Sequence, residues 1–354
     1  MIKIENTLIA VGEPVFVIAE AGVNHNGSLK IAKKLVDVAV EAGADAVKFQ
    51  TFSSENLVTK KVPKAKYQEE SLEGSKTQFQ MLKKLELGYN DFKLLKKYCD
   101  EKNIIFLSTP HTEDAIDFLD PLVPAFKIGS GDLTNIQFLK KVAKRGKPII
   151  LSTGMATMEE VKEALDAIYG EGNRKVVVLH CTTNYPCHRN EVNLRAMQAM
   201  RKDLGCLVGY SDHTLGIDVS QMAVNLGASV IEKHFTLDKS MDGPDHKASL
   251  ESKELTNMII AIRDGSYKKV GLDEEVLGLS EKKPNADEME NAKVVRKSIV
   301  AARHIRKGEK LSFENLTIKR PGTGIKPKYI ESILGKKAKR AIAADSLINK
   351  EDIE

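Results

Sequence analysis

The sequence repeats one pattern eight times: a short apolar, β-branched run ends in small or ionisable residues and is followed by a stretch with helical periodicity. Eight successive strand and helix units are typical of a (β/α)₈ or TIM barrel, whose parallel strands lie inside a layer of helices. We therefore predict this α/β fold for most of the chain. The runs lie at residues 15–20, 46–50, 104–109, 125–130, 148–153, 176–182, 207–213 and 230–235.

Polar and charged side chains stand at the ends of these runs, where a purely structural strand would continue with valine or isoleucine. In barrels of this kind the active site lies at the carboxyl ends of the strands. The pattern therefore predicts an enzyme. The residues concerned are Glu20, Lys48, Gln50, Thr109, Lys127, Ser130, Ser152, Thr182, Ser211, His213, Glu232 and His234.

The length of the chain predicts more than one domain. Its 354 residues exceed the roughly 250 of a typical single barrel. We place the barrel and an N-terminal hairpin at residues 1–268, a charge-rich linker at 269–293, and a compact domain of short strands at 294–354. The long stretch between the second and third runs, residues 51–103, is expected to shape a substrate pocket.

Composition excludes several classes of protein. The chain is 42% apolar and 29% charged, which is ordinary for a globular protein. A net charge of +5 spread over helix faces, with 5% aromatic residues and no tryptophan, argues against a nucleic-acid partner. The chain has no long apolar window and no signal-peptide pattern, so we expect a cytoplasmic protein without a membrane partner.

The four cysteines have no paired spacing, which favours reduced thiols over a disulfide framework. Cys181, at the end of a run, is either a nucleophile or a packing residue. Free cysteines are usually buried and inert, so packing is the favoured interpretation.

Strand alternation predicts which of the polar strand-end residues share a side of their strand, because residues two apart on a strand point the same way. His213 and His234 end adjacent strands, so their imidazoles can meet at one metal ion with positions left open for water and substrate. Alternatively, each histidine is only a hydrogen-bonded core residue. The pairs that share a side are Lys48 with Gln50, Ser211 with His213, and Glu232 with His234, whereas Asp212 and Lys233 face the opposite way.

Two lysines and four hydroxyl residues form a second set, which we call the anion ring. A buried lysine needs an anionic partner, and phosphate or carboxylate groups accept several charge-assisted hydrogen bonds. Each hydroxyl taken singly is more simply explained as a cap of the following helix. Together they predict a site for a doubly anionic ligand. The anion ring is Lys48, Thr109, Lys127, Ser130, Ser152 and Ser211.

Absent motifs narrow the possible functions. The sequence has no G-x-G-x-x-G after a strand, no G-x-x-x-x-G-K-[ST], no H-E-x-x-H and no G-x-S-x-G. These absences argue against dinucleotide-binding, P-loop, zincin and serine hydrolase functions. Two alternatives stay open: an aldolase that forms a Schiff base through Lys127 or Lys48, and a non-enzymatic module, suggested by the tail at 294–354, that binds carbohydrate or an ice surface.

Several segments together resemble one known family, the sialic acid synthases, which include N-acetylneuraminate and N,N'-diacetyllegionaminate synthases. These enzymes condense phosphoenolpyruvate with an N-acylated amino-sugar aldehyde. The tail, with KRPGTGI at 319–325, resembles the antifreeze-like (SAF) domain that they carry. The other segments are EAGVNHNG (20–27), VKFQT (47–51), STP (108–110), KIGSGD (127–132), LSTGM (151–155), LHCT (179–182), GYSDHT (209–214), EKHF (232–235) and GPDHKASLE (243–251).

The resemblance implies roles for individual residues. The anion ring would hold phosphoenolpyruvate, and His213 and His234 would hold a divalent metal, Mn²⁺ foremost, with Mg²⁺ or Co²⁺ as alternatives. Glu232 or Glu20 would help to deprotonate a water molecule. The sugar would be faced by Glu20, Gln50, Tyr185 and Asp245.

The resemblance also implies an assembly and a sugar class. Arg320 would reach the sugar's N-acyl group from the tail of the other subunit of a domain-swapped homodimer. The sugar would be N-acetylmannosamine or a related 2-acetamido sugar. A 2,4-diacetamido-2,4,6-trideoxyhexose leading to legionaminic acid is the alternative, and the GPDHKASLE segment makes the pseudaminic branch less favoured. One departure is that residues 72–78 contain no asparagine to match the one with which the family contacts its sugar.

Overall fold

The computed structural model describes residues 1–69, 71–72 and 74–354. An N-terminal hairpin, β1 (Ile2–Ile4) and β2 (Thr7–Ile9), precedes eight strands that are joined in parallel. The eight strands are β3 (Phe16–Gly22), β4 (Ala46–Thr51), β5 (Ile105–Pro110), β6 (Phe126–Ile128), β7 (Ile149–Ser152), β8 (Val176–His180), β9 (Leu207–Asp212) and β10 (Val230–His234).

The strands follow one another in the order β5-β4-β3-β10-β9-β8-β7-β6, and β5 and β6 lie beside each other, which nearly closes the barrel. This confirms the predicted fold. The register aligns the strand ends: Glu20 is paired with His234 on one side and with Lys48 on the other. Side chains from distant parts of the sequence therefore reach the same level of the barrel mouth.

Helices surround the barrel because their apolar residues recur at helical spacing. In the first of them, Ala32, Leu35, Val36 and Ala39 are buried, and the hydroxyl of Ser28 accepts from the Ile31 amide as the N-cap. None of the described helices is long and apolar enough to cross a membrane. The barrel helices are α1 (Leu29–Glu41), α2 (Ser54–Leu57), α3 (Gln78–Leu85), α4 (Tyr89–Glu101), α5 (Glu113–Leu119), α6 (Ile136–Ala143), α7 (Met158–Gly170), α8 (Leu194–Leu204), α9 (Asp218–Asn225) and α10 (Ser252–Asp264).

The hairpin closes the end of the barrel opposite the mouth. Ile2, Ile4 and Ile9 are buried and belong to the same apolar cluster as inward-facing residues of the strands, such as Phe16 and Ile18. This end of the barrel is a packed apolar core. The polar chemistry is therefore confined to the other end.

The segment predicted to be a linker is more ordered than its composition indicated. It contains α11 (Glu274–Leu277) and α12 (Ala286–Val295), and α12 lies against the barrel mouth. Its charge-rich sequence concealed this because Glu288 is a buried carboxylate that accepts backbone hydrogen bonds from the barrel. The spacing of apolar residues does not distinguish a buried carboxylate such as Glu288 from a solvated one.

The tail is a small domain with its own apolar cluster, built on β11 (Ser298–Ala301), β12 (Leu316–Lys319) and the short α13 (Ile330–Ile333). It docks on the barrel of the same chain. The Arg320 amide donates to Leu57 O at 2.9 Å, and the Thr59 amide donates to Arg320 O at 3.0 Å. These contacts bring the segment after β12 to the barrel mouth.

A buried ion pair between β9 and β10 gives a direct test of the barrel's stability. Lys233 is fully buried, with Nζ 2.9 Å from Asp212 Oδ2, and it donates to Thr214 O. Removing the cation in Lys233→Met leaves the carboxylate buried without its charge partner. We expect a loss of about 3–5 kcal/mol in the free energy of unfolding, measured by urea denaturation. The exposed Lys253→Met is the control, and equal stability of the two variants would contradict this account.

Candidate active site

Of the site residues predicted from the sequence, all but Thr182 line a single cavity at the carboxyl ends of the barrel strands. The structure thus brings together groups that are spread over more than three hundred positions of the chain. They are Glu20, Lys48, Gln50, Thr109, Lys127, Ser130, Ser152, Tyr185, Ser211, His213, Glu232, His234, Asp245 and Arg320.

Glu232 is at the centre of the charged groups in this cavity. Its Oε1 lies 3.2 Å from Lys127 Nζ and accepts a hydrogen bond of 2.9 Å from Ser211 Oγ. Its Oε2 lies 3.6 Å from Lys48 Nζ. One carboxylate therefore holds two lysines and a hydroxyl from three other strands.

Glu20 makes the second carboxylate contact with Lys48, at 2.7 Å from Oε2 to Nζ. Gln50 Nε2 donates to Glu20 Oε1 at 3.2 Å, and Lys48 Nζ donates to Thr109 Oγ1 at 3.3 Å. A side chain at Gly22 would come within 3.3 Å of Gln50, Glu20 and His234, so the glycine makes room for this packing. The cluster contains two carboxylates and two lysines, so its formal charges balance.

Burial and pairing shift the pKa values of these four groups in different directions. Burial raises the pKa of Glu20 despite Lys48, whereas Lys127 and Lys48 overcome burial and hold the pKa of Glu232 at about 2. Burial lowers the pKa of Lys127 despite Glu232. Burial would also lower the pKa of Lys48, but Glu20 and Glu232 outweigh it and raise that pKa. Lys48 therefore stays a cation at neutral pH.

The hydroxyl groups of the anion ring are placed around these charges. Ser130 Oγ accepts from the Gly154 amide at 2.9 Å and lies 3.3 Å from Cys181 Sγ. Ser152 Oγ is buried without a hydrogen-bond partner among the described residues. A buried hydroxyl that lines a cavity and has no hydrogen-bond partner is suited to form a hydrogen bond with a ligand.

His213 and His234 lie side by side, with ring centroids 5.7 Å apart, and Tyr185 contacts both rings. His213 Nδ1 donates to Thr182 O at 2.6 Å, which makes Nε2 the nitrogen with the lone pair, and Ser211 Oγ lies 3.5 Å from Nε2. His234 Nδ1 is buried without a hydrogen-bond partner among the described residues. It lies 3.9 Å from Asp245 Oδ2.

The two histidines meet the chemical requirements of metal ligands. Burial lowers the pKa of His213 to about 4, and burial together with His213 lowers that of His234 well below its usual value. Both imidazoles are therefore neutral at pH 7, which is the ligating form. Within the described part of the chain, no group of three or more His, Cys, Asp or Glu side chains could hold a metal ion. A metal held by these two histidines would keep several coordination positions open.

Arg320 reaches this cavity from the tail of the same chain. Its Nη1 donates to Gln78 Oε1 at 3.3 Å, and its Nε has no hydrogen-bond partner among the described residues. The sequence-based prediction placed this arginine in the partner subunit's barrel. In this single chain Arg320 lines the mouth of its own barrel, and the segment before it is tied to the same mouth, since Lys297 Nζ lies 2.6 Å from Asp132 Oδ1.

The sequence analysis missed several residues that line the cavity. Residues of the long insertion contribute one wall, as expected for the segment as a whole, but its members were not identified individually. Tyr67 packs against Tyr185 with the ring centroids 4.9 Å apart and the ring planes tilted by 34°. The length of the insertion was the only signal, since nothing local distinguishes its wall residues. They are Tyr67, Gln68, Met81, Leu82 and Leu85.

Comparison with known proteins identifies the family. The model of the NeuB family matches residues 35–271, and that of the SAF domain matches residues 296–354. The chain belongs to the NeuB family and ends in a SAF domain. The predicted resemblance to sialic acid synthases and the predicted antifreeze-like domain are both confirmed.

Three known proteins show the extent of the similarity. The N,N'-diacetyllegionaminic acid synthase of Campylobacter jejuni is 48% identical over 335 residues, which cover 94% of this chain and 98% of that protein. The human N-acetylneuraminate-9-phosphate synthase is 36% identical over 344 residues, which cover 96% of this chain and 93% of that protein. The spore coat polysaccharide biosynthesis protein SpsE of Bacillus subtilis is 36% identical in sequence. Its crystal structure matches with a TM-score of 0.85, over 99% of this chain and 98% of that chain.

We propose that His213 and His234 are the metal ligands, which predicts loss of metal when either is removed. His213→Ala and His234→Ala should each lose stoichiometric Mn²⁺ retention while the circular dichroism of the barrel is unchanged. The exposed His304→Ala should behave as the wild type. Metal content after gel filtration measures the effect, and a variant of either cavity histidine that keeps a full equivalent of Mn²⁺ would remove the assignment.

Proposed function

We propose that the protein is a nonulosonic acid synthase. It condenses phosphoenolpyruvate with the open-chain aldehyde of an N-acyl amino sugar and water, and it releases phosphate. The observation that carries this proposal is the anion ring beside two neutral histidines in one cavity. Membership of the NeuB family and the names of the two synthases among its relatives support it.

The anion ring would bind phosphoenolpyruvate. Lys127 Nζ is paired with Glu232 at 3.2 Å and has further N–H donors for a phosphate or carboxylate oxygen. Lys48 Nζ already contacts Glu20, Thr109 and Glu232, so it would exchange one of these contacts for the anion. The ring hydroxyls, among them Ser152 with its unpartnered oxygen, would fix the orientation of the anion. Holding both reactants in one cavity removes the entropic cost of bringing them together during the reaction.

The sugar would lie between the charged cluster and the tail. Glu20 would accept hydrogen bonds from the sugar's hydroxyl groups, and Gln50 would donate to them. Arg320 would donate to the sugar's N-acyl carbonyl. When bound by His213 and His234, a divalent metal supplies Lewis acidity toward the aldehyde oxygen. Mn²⁺ is the proposed ion, with Mg²⁺ or Co²⁺ as alternatives.

The bonds that change define what the residues must do. C3 of phosphoenolpyruvate forms a bond to the aldehyde carbon, water adds at C2, and the C2–O bond to phosphate breaks. The two protons of the water end on the new sugar hydroxyl and on phosphate. Glu20 is the better candidate to carry the proton, because burial raises its pKa, whereas Lys127 and Lys48 hold the pKa of Glu232 at about 2.

The sugar class is a 2-acetamido sugar. Identity of 48% to the legionaminic acid synthase, against 36% to the human N-acetylneuraminate-9-phosphate synthase, favours a 2,4-diacetamido-2,4,6-trideoxyhexose over N-acetylmannosamine. The apolar side chains of Met81, Leu82 and Leu85 in the cavity wall suit a sugar with a methyl group and a second acetamido group in place of hydroxyls.

Release of phosphate from phosphoenolpyruvate tests the proposed function. The assay compares N-acetylmannosamine, its 6-phosphate and the 2,4-diacetamido sugar, each with and without a chelator. We expect sugar-dependent release that the chelator abolishes and Mn²⁺ restores. No release with any sugar would overturn the proposal. Inactivation by borohydride in the presence of substrate, with no effect of the chelator, would favour the Schiff-base aldolase instead.

The role of Lys127 predicts which substrate a substitution affects. Lys127→Ala removes a charge-assisted bond worth about 1.5–3 kcal/mol, so the KM for phosphoenolpyruvate should rise roughly tenfold to a hundredfold. The KM for the sugar should change little. Initial-rate kinetics measure both values, and Lys253→Ala is an exposed control. A rise in the sugar KM alone would show that the anion ring binds something else.

The proposed assembly is a homodimer in which tails are exchanged. Domain swapping replaces contacts within a chain by identical contacts between chains, so the docking of the tail described above is compatible with exchange through the loop between α11 and α12. In either arrangement a tail supplies Arg320 to a barrel mouth.

Mixing two inactive variants tests the exchange. His234→Ala disables the barrel, and Arg320→Ala disables the tail. If tails act in trans, half of the randomly reassorted dimers carry one intact site, and the mixture should regain about a quarter of wild-type activity. No recovery, with subunit exchange verified by intact-mass spectrometry, would contradict the proposal and show that each tail serves its own barrel.

The proposed compartment is the cytoplasm. All four cysteines are free, and three of them are buried. Reduced thiols in this state are typical of a reducing compartment.

A further inference from the structure

Two buried polar side chains fix α12 to the barrel mouth. Glu288 and Asn291 are 2% and 4% exposed. Glu288 Oε1 accepts from the Met155 amide at 2.7 Å and from the Thr183 amide at 2.9 Å. Asn291 Nδ2 donates to Thr183 O at 2.8 Å. One carboxylate oxygen thus joins the loop that follows β7 to the loop that follows β8.

Each of these loops leads directly to a residue of the site. The carbonyl of Thr182, next to Thr183, accepts the Nδ1 proton of His213 at 2.6 Å. The amide of Gly154, next to Met155, donates to Ser130 Oγ at 2.9 Å. A shift of either loop would therefore move a group that orients His213 or Ser130.

The two loops have little freedom to move independently. Met155 has a positive φ of 62°, a left-handed conformation that costs energy for a residue with a side chain. A Cβ on Gly154 would lie 2.0 Å from Thr183 Oγ1, so the loops are in direct contact. Such a conformation persists only where surrounding contacts hold it, and Glu288 bonds the amide of the strained residue itself.

The contact continues into the start of the tail. Arg296, the residue after α12, donates through Nη2 to Met155 O at 2.7 Å and to Glu160 Oε2 at 2.6 Å. Both backbone polar groups of Met155 are therefore held, the amide by Glu288 of α12 and the carbonyl by Arg296, the residue after α12. The docking of the tail and the conformation of this loop are linked through Met155.

We propose that Glu288 is a positioning residue that aligns the anion ring by holding the loops after β7 and β8. This inference rests on the proposed function, because it assigns the held loops to phosphoenolpyruvate binding. Its consequence is largest for phosphoenolpyruvate: Ser130 is bonded from the loop after β7 and Ser152 ends β7, whereas Glu20 and Gln50, which face the sugar, are on β3 and β4. Tyr185, on the loop after β8, is a sugar-facing residue that these loops also position.

Substitution of Glu288 tests the proposal. Glu288→Ala leaves two buried amides without an acceptor, so the KM for phosphoenolpyruvate should rise roughly tenfold to a hundredfold, and the sugar KM should rise much less. Glu288→Gln keeps a neutral acceptor oxygen and should recover most of the affinity. Glu290→Ala, on the exposed side of the same helix, should match the wild type.

A second measurement does not depend on turnover. Amide hydrogen exchange in segments 152–158 and 181–187 should be faster in Glu288→Ala than in Glu290→Ala, with the rest of the barrel unchanged. If Glu288→Ala fails to fold by circular dichroism, Asn291→Leu, which loses the bond to Thr183 O, replaces it in both measurements.

The outcomes separate this inference from the proposed function. A wild-type enzyme that releases no phosphate from phosphoenolpyruvate overturns the function, and the exchange data then decide whether Glu288 holds the loops. An active wild type with an unchanged phosphoenolpyruvate KM in Glu288→Ala overturns the positioning role. Equal rises in both KM values with a lowered melting temperature would also overturn it, since they indicate general loss of structure.

Discussion

The barrel mouth depends on the carboxylate of Glu232, which is shared by Lys127, Lys48 and Ser211. A charge buried alone in a protein costs several kcal/mol, and a carboxylate that bridges two lysines reduces this cost for all three groups. Glu20 provides the second negative charge through its contact with Lys48. The parallel register of the strands makes this possible, because it places Glu20 beside Lys48 and Ser211 beside Glu232.

This pairing also bears on the alternative functions. A Schiff-base lysine must be a free amine, and Glu20 and Glu232 raise the pKa of Lys48, which keeps it protonated. Burial lowers the pKa of Lys127, so the aldolase alternative depends on Lys127 alone. A binding module based on the tail accounts for none of the charges in this cluster, since Glu20, Lys48, Lys127 and Glu232 all lie on barrel strands. The charged cluster therefore favours an enzyme that binds an anion in the barrel.

The sequence alone predicted the barrel and the position of the site at the carboxyl ends of its strands, because both follow from periodic patterns. Apolar runs indicate strands, and alternation assigned Lys48, Glu232 and His234 to the interior and Lys233 to the helix side, where it pairs with Asp212. The hydrogen bonds of Glu288 to Met155 and Thr183 follow no such pattern. They join residues more than a hundred positions apart, and the charged sequence around Glu288 resembles that of a solvated linker. Tyr67 was missed for the same reason, as its position depends on how a long insertion folds back.

A crystal structure of the protein with phosphoenolpyruvate and Mn²⁺ tests the central claim most directly. The account predicts phosphate or carboxylate oxygens within about 3 Å of Lys127 Nζ and of the anion-ring hydroxyls, with Mn²⁺ on His213 and His234. It also predicts that Lys127 turns from Glu232 toward the ligand. A structure in which the Lys127–Glu232 pair is unchanged and phosphoenolpyruvate lies outside the barrel mouth would contradict the account, as would a covalent bond from Lys127 to the ligand.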